Sequence, residues 1–189
     1  MSTVSGNLIH DSKQYIIKNL GEEKYQDILQ ELSPESRDII SGPVLSNQYY
    51  DIKIIQDLLD AIVKLFGKEE LQKEAESNAR NQLKGFFGFI TRFVSNKRLM
   101  QNAEKLFKKV YPEGNVEVKQ PEESHYILNV SGVEFSENQN YGFMHYIKAI
   151  LKITSGKEIT SSFEVKDNTT QFDFTILDNS ETKKPKTPP

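Results

Sequence analysis

Histidine is the side chain best suited to move a proton or hold a metal near neutral pH, and this chain has three, His10, His125 and His145. No two of them sit on one stretch at metal-ligand spacing. His145 stands out: it lies one helical turn from Tyr141 and next to Tyr146, on a segment whose other face is apolar. Each nevertheless reads as a structural histidine, solvent-facing or hydrogen-bonded. Carboxylates are numerous, but Glu22-Glu23, Glu69-Glu70 and Glu122-Glu123 are adjacent pairs. Adjacent residues do not share a helical or strand face, so these read as solvated surface or as acids of a first helical turn. Nothing selects two of them as the pair a hydrolase needs. The sequence holds no glycine-rich phosphate loop, no serine nucleophile elbow and no kinase set. It has no cysteine, which excludes disulfides, thiolate nucleophiles and cysteine-held metals. The expectation is a protein that is not an enzyme, with no metal and no cofactor.

Aromatic residues give the strongest local signal. Gly85 to Phe93 reads GFFGFITRF and contains four of the eleven phenylalanines. Two glycines lie among the rings in a stretch that otherwise reads as helix, where each glycine costs ~1 kcal/mol relative to alanine. Close packing of another element is one reason for them, and room for a ligand is another. Rings at helical spacing are usually core, whereas an apolar pocket with few polar groups is the common form of a small-molecule site. Arg92, Lys97, Arg98, Lys105, Lys108 and Lys109 are interleaved with Phe89, Phe93 and Phe107, a pattern that single-stranded nucleic acid can use. The net charge of −3 favours a solvated helix face with snorkelling lysines instead. No nucleic-acid partner is expected.

Composition sets the frame. With 189 residues, 37% hydrophobic and 27% charged, the chain can bury a core and reads as globular. No apolar run approaches the ~20 residues of a membrane helix, and the N-terminus lacks the pattern of a signal peptide. Cytoplasmic residence without a membrane partner is therefore expected.

Helices must position these residues over the first two-thirds of the chain. Leu8, Tyr15, Ile16 and Leu20 share one face of a helix from Gly6 that Gly21 stops. A second helix covers Glu22 to Leu32. Ser33-Pro34-Glu35 is a capped helix start, and Ser41-Gly42-Pro43 breaks that helix. Asp51 to Phe66 follows the amphipathic template most closely, through Ile52, Ile55, Leu58, Leu59, Ile62, Leu65 and Phe66. Lys68 to Leu83 is a polar helix with Leu71, Ala75 and Ala79 as a narrow apolar side, running into the phenylalanine stretch. Asn96 to Val110 is a further helix, ended by Tyr111-Pro112-Glu113-Gly114. Beyond it the period shortens to that of strands, around Val116 and Val118 and over His125 to Ser131. A helix from about Tyr141 to Thr154 follows, then a hairpin of Glu158–Lys166 and Thr170–Leu177 turning at Asp167-Asn168-Thr169. The plan is α+β: five or six helices, then an antiparallel sheet of about four strands with one inserted helix, covered on one face. It forms one domain over 1–178, with a polar, basic, proline-rich tail at 179–189 expected to be disordered.

That order of elements resembles the superfamily of heme–nitric-oxide-binding (H-NOX) sensor domains. The residues that carry the likeness are Val4-Ser5-Gly6 before the first helix, the Leu-Gly-Glu-Glu junction at Leu20 to Glu23, Tyr49-Tyr50-Asp51, and the Val110 to Gly114 stop. The likeness covers residues 4–177 and is nearest to uncharacterised bacterial members known mainly from myxobacteria. More distantly, the chain is similar to vinyl-reductase-type small-molecule-binding domains and to Golgi-transport subunits. In heme-binding members a histidine on the helix corresponding to Asn96–Val110 holds the iron; here that helix reads NKRLMQNAEKLFKKV. Those members also grip the propionates with a tyrosine–serine–arginine motif. The corresponding stretch here, Asn115 to Gly132, has Ser124 and Tyr126 but no arginine. Without an axial ligand or cationic partners, heme is not expected.

The resemblance implies a ligand or partner held between helices and sheet, in a cleft lined by Phe86, Phe89, Phe93, Met100, Phe107, Tyr126 and Met144. It leaves two readings. One is a sensor-like regulatory domain that binds an apolar small molecule without heme. The other is a protein-interaction module that dimerises, for which the stripe on Asp51–Phe66 offers a face.

Overall fold

In the computed structural model, residues 2–87 and 96–177 are described, with side chains left out for 84–87. The GFFGFITRF stretch falls largely outside them. Phe89 and Phe93 lie outside the described residues, and Phe86 is placed only as backbone within a helix. Residues 178–189, which hold the basic tail, also lie outside them.

The chain opens with strand β1 (Thr3–Ser5), helix α1 (Gly6–Tyr15), continued by a π-helical turn over Ile16–Leu20, then α2 (Glu22–Glu31) and α3 (Pro34–Ser41). Strand β2 (Tyr49–Asp51) pairs antiparallel with β1, setting Val4 opposite Tyr50. Two three-residue strands carry too little alternation to be read from sequence. The pair fixes where α1 and α4 (Ile52–Phe66) begin, because Ser5 and Asp51 cap those two helices with their side-chain oxygens. Gly6 is needed at this corner: a Cβ there would lie 2.2 Å from the Leu45 carbonyl oxygen. Thr3 ties the same corner to the far end of the helical layer. Its backbone N–H and its hydroxyl both donate to the Glu113 carboxylate, at 3.0 and 2.9 Å.

Helix α4 forms the centre of the helical layer. Ile54, Ile55, Leu58 and Ile62 are all within 1% of full burial, each contributing ~2 kcal/mol of transfer free energy. The stripe that offered a docking face is thus the core itself, packed against α2, α3 and the later helices over Lys68–Phe87 and Glu137–Ser155. Helix α5 (Lys68–Phe87) follows. The single helix expected over 96–110 is two, α6 (Asn96–Gln101) and α7 (Ala103–Val110). Asn102 leaves helical geometry between them, at φ −104° and ψ 4°, although the apolar spacing runs on without a break.

Strands β3 (Asn115–Glu122) and β4 (His125–Ser131) lead to α8 (Glu137–Ser155), then β5 (Ile159–Lys166) and β6 (Thr169–Ile176). The four form one antiparallel sheet in the order β3-β4-β6-β5. Tyr126, Leu128 and Val130 of β4 stand opposite Phe174, Phe172 and Thr170 of β6, and all six are buried. Helix α8 packs on that face, with Phe143 and Phe172 rings 5.0 Å apart. The β5–β6 hairpin turns through Asp167 and Asn168, at φ 48° and 59°. Two successive positive φ values are the signature of a type I′ turn, whose twist matches that of the strands.

Candidate functional site

Between the helical layer and the sheet lies a cavity of about 520 Å³. Its walls come from α1, α4, α5, α6, α7 and α8, and its sheet end from Val116 and Leu128. The space exists because the helices crossing it present small side chains. Ala75 on α5 and Ala103 on α7 border it, while a Cβ at Gly142 on α8 would meet Leu71 of α5 at 3.5 Å. Most of the remaining surface is aliphatic or aromatic, including Leu8, Ile55, Leu99, Met100, Phe107, Phe143 and Ile147.

One wall is polar. On α5, Glu74 and Asn78 are 3% and 2% exposed. Ser12 of α1 donates its hydroxyl to Glu74 Oε1 at 2.5 Å, and Asn78 Nδ2 donates to the same oxygen at 2.6 Å. Among the described residues no donor meets Oε2. Burial pushes the Glu74 carboxyl up to about 7, against the lowering effect of its two hydrogen bonds, and the neighbouring Asp11 raises it further. Asp11 also lines the cavity and is likewise raised by burial, against the lowering effects of His10 and a hydrogen bond with Gln82. Gln82 in turn accepts from the Tyr146 hydroxyl at 2.6 Å. Asn78 Oδ1 is buried without a hydrogen-bond partner.

Another part of the wall is aromatic. Phe107 packs on Tyr111 with centroids 5.0 Å apart, and Tyr111 packs on Phe135 at 4.9 Å. The Tyr111 hydroxyl accepts from Gln139 at 3.2 Å, and Gln139 accepts from Gln56 at 3.0 Å. Burial raises the Tyr111 hydroxyl pKa, so this phenol stays neutral.

Of the residues expected to line the cleft, Met100 and Phe107 border this cavity. Tyr126 and Met144 are buried but stand outside its lining. Tyr126 instead faces a second groove of about 760 Å³ between α6 and the β3–β4 pair, which Met100 also borders. Met144 is displaced by the helical period, since Gly142, Phe143, Tyr146, Ile147 and Ile150 are the α8 residues turned to the cavity. No histidine lines it. His125 binds Asp173 across β4–β6 at 3.0 Å, and His145 is buried against the Tyr141 ring at 4.4 Å. Among the described residues no group of three or more His, Asp or Glu is placed to hold a metal ion. Nor is any helix among them long and apolar enough to cross a membrane.

Sequence reasoning did not single out Ser12, Glu74 or Asn78. A signal was present: Leu71, Glu74, Ala75, Asn78 and Ala79 fall at i, i+3, i+4, i+7 and i+8, the spacing of one helical face. Two polar residues in that register belong to the buried side of α5.

Comparison with solved structures fixes the architecture. The Fe(II) unliganded H-NOX protein from K. algicida superposes with a TM-score of 0.70 over 93% of this chain and 97% of its own, at 13% identity. The fold is H-NOX-like. An H-NOX protein from S. oneidensis in the Fe(II)NO ligation state gives 0.68, over 92% and 99% of the two chains, at 9% identity. An oxygen-binding H-NOX domain related to soluble guanylate cyclases gives 0.64, over 92% and 95%, at 8% identity. No protein-family model and no curated protein matches the sequence. The H-NOX likeness is therefore one of backbone path, with nearly every side chain replaced.

Proposed function

We propose that the protein is a non-enzymatic, sensor-type domain of the H-NOX-like fold that binds a small apolar molecule in the interhelical cavity, without heme. The observation that carries this reading is the cavity itself, about 520 Å³ of mostly apolar space with one polar wall. That is the usual size and make-up of a small-molecule site.

The lining does not suit a heme. Heme iron needs an axial ligand, and none of the three histidines reaches the cavity. The Tyr111 and Tyr146 hydroxyls are engaged by Gln139 and Gln82, which leaves the Met100 thioether. Propionates call for cations; Lys109 is the one cationic side chain that borders the cavity among the described residues, while Asp11 and Glu74 oppose a second negative charge.

Two measurements test the reading. Protein incubated with hemin and desalted is expected to show no stoichiometric, sharp Soret band. Native mass spectrometry of protein expressed in its own host is expected to show a homogeneous added mass of a small organic molecule. A stoichiometric heme, or a clean dimer with no added mass, overturns it.

A further inference from the structure

The apolar walls of the cavity set the size of a ligand, and the polar wall sets its head group, provided that the proposed role of the cavity as a ligand site holds. Two carboxyls, Asp11 and Glu74, border the same space. The acidic groups just outside are already paired: Glu70 with Lys73 at 2.9 Å and with the Tyr15 hydroxyl at 2.7 Å, Glu76 with Arg80 at 3.0 Å. Among the described residues no cation is paired with Glu74, and the neighbouring charge it feels is that of Asp11, a second acid. Both hydrogen bonds to its carboxyl end on Oε1. Beside it Asn78, buried and turned to the cavity, holds an oxygen with no donor. An unpartnered buried acceptor is costly, and one that stands beside a buried carboxyl calls for a group rich in donors. An ammonium has three donors and no acceptor, and its charge matches the two acids.

We infer that the cavity selects an apolar molecule ending in a single ammonium head, which sits against Glu74 and Asp11 beside Asn78. A hydroxyl head would supply one donor without the charge, and a carboxylate head would meet two acids. Selection by head group then sets this site apart from a merely greasy hole, which ranks ligands by chain length alone.

Octylammonium, 1-octanol and octanoate share a chain and differ only in the head. Each is titrated into the protein by isothermal calorimetry at pH 7.5. Octylammonium is expected to bind at least about tenfold more tightly than octanol, about 1.4 kcal/mol, with octanoate weakest. Glu74→Gln is expected to bring octylammonium down to the level of octanol; Asp11→Asn is the second variant if Glu74→Gln perturbs folding. Ala75→Phe, which fills the space, is expected to weaken all three, with Ala103→Phe as the substitute if the first variant melts below room temperature. Equal binding of octylammonium and octanol, or an ammonium advantage that survives both Glu74→Gln and Asp11→Asn, overturns the head-group inference and leaves the cavity reading standing. Binding of octylammonium that ignores the filling variants places it on the surface and also overturns the inference. If none of the three binds, the cavity reading itself fails.

Discussion

Helices α4 and α5 lie against each other in the middle of the protein, and they solve the problem of burial with opposite materials. The buried face of α4 is wholly aliphatic: Ile52, Ile54, Ile55, Leu58, Leu59, Ala61 and Ile62. That of α5 runs through Leu71, Glu74, Ala75, Asn78, Ala79 and Leu83, alternating small residues with polar ones. Large branched side chains leave no gap and fix a single packing. Small ones leave room, and polar ones give that room a chemical preference. One helix holds the fold together; its neighbour keeps part of the interior open.

The contrast breaks most visibly if α4 is cut back. Leu58→Ala should lower the unfolding free energy by about 3–4 kcal/mol, within the range for a fully buried leucine, as read from urea melts. A loss under about 1 kcal/mol would mean that α4 is no better packed than α5. The next largest effect should come from α5 with the opposite sign. Glu74 titrates near 7 when folded against an ordinary value of 4.5. Between those values the folded chain keeps a proton that the unfolded chain has released, so stability falls as pH rises through this window. Carrying this carboxyl ionised in its buried place costs on the order of 3 kcal/mol by pH 8. Glu74→Gln should therefore stabilise the protein at pH 8 by up to that amount and match the parent near pH 4, a pattern that thermal melts across pH will show or refute.

A matched pair sharpens the comparison further. Ala61→Leu on α4 forces extra methylenes into filled space and should cost about 1–3 kcal/mol. Ala75→Leu on α5 points the same methylenes into the cavity and should be neutral or stabilising by up to about 1 kcal/mol. Equal losses in both, measured by the same urea melts, would show that the cavity wall is rigidly packed. The smallest effect belongs to the outer face of α5: Lys73→Ala breaks an exposed pair with Glu70 and should leave the urea midpoint where it is in the parent.

Much of this architecture is legible in the residues. Ser33-Pro34, Gly67 and Gly156 mark helix ends where the structure has them, and the aliphatic spacing of α4 admits one reading. Helix α8 begins four residues before Tyr141, at Glu137 behind a Ser136 cap. Its first turn carries Gln139 and Asn140, polar residues that are buried all the same, so the apolar template starts late. The break at Asn102 leaves no trace in the apolar spacing, because both halves keep their rows of hydrophobic residues. The cavity was least legible of all. It is made by what the alanines omit, and a sequence records side chains, not the space between them. Met100 and Phe107, named from the resemblance, do border it, and the register of Glu74 and Asn78 on α5 is a further written trace.

The open interior has a volumetric consequence. A void that exists only while the chain is folded disappears when the chain unfolds, and the system shrinks. Unfolding volumes run from about −20 to −100 mL/mol and scale with the void eliminated. The part of this space of about 520 Å³ that water does not fill adds to that decrease, so hydrostatic pressure should favour unfolding. A molecule seated in the cavity would take that softness away.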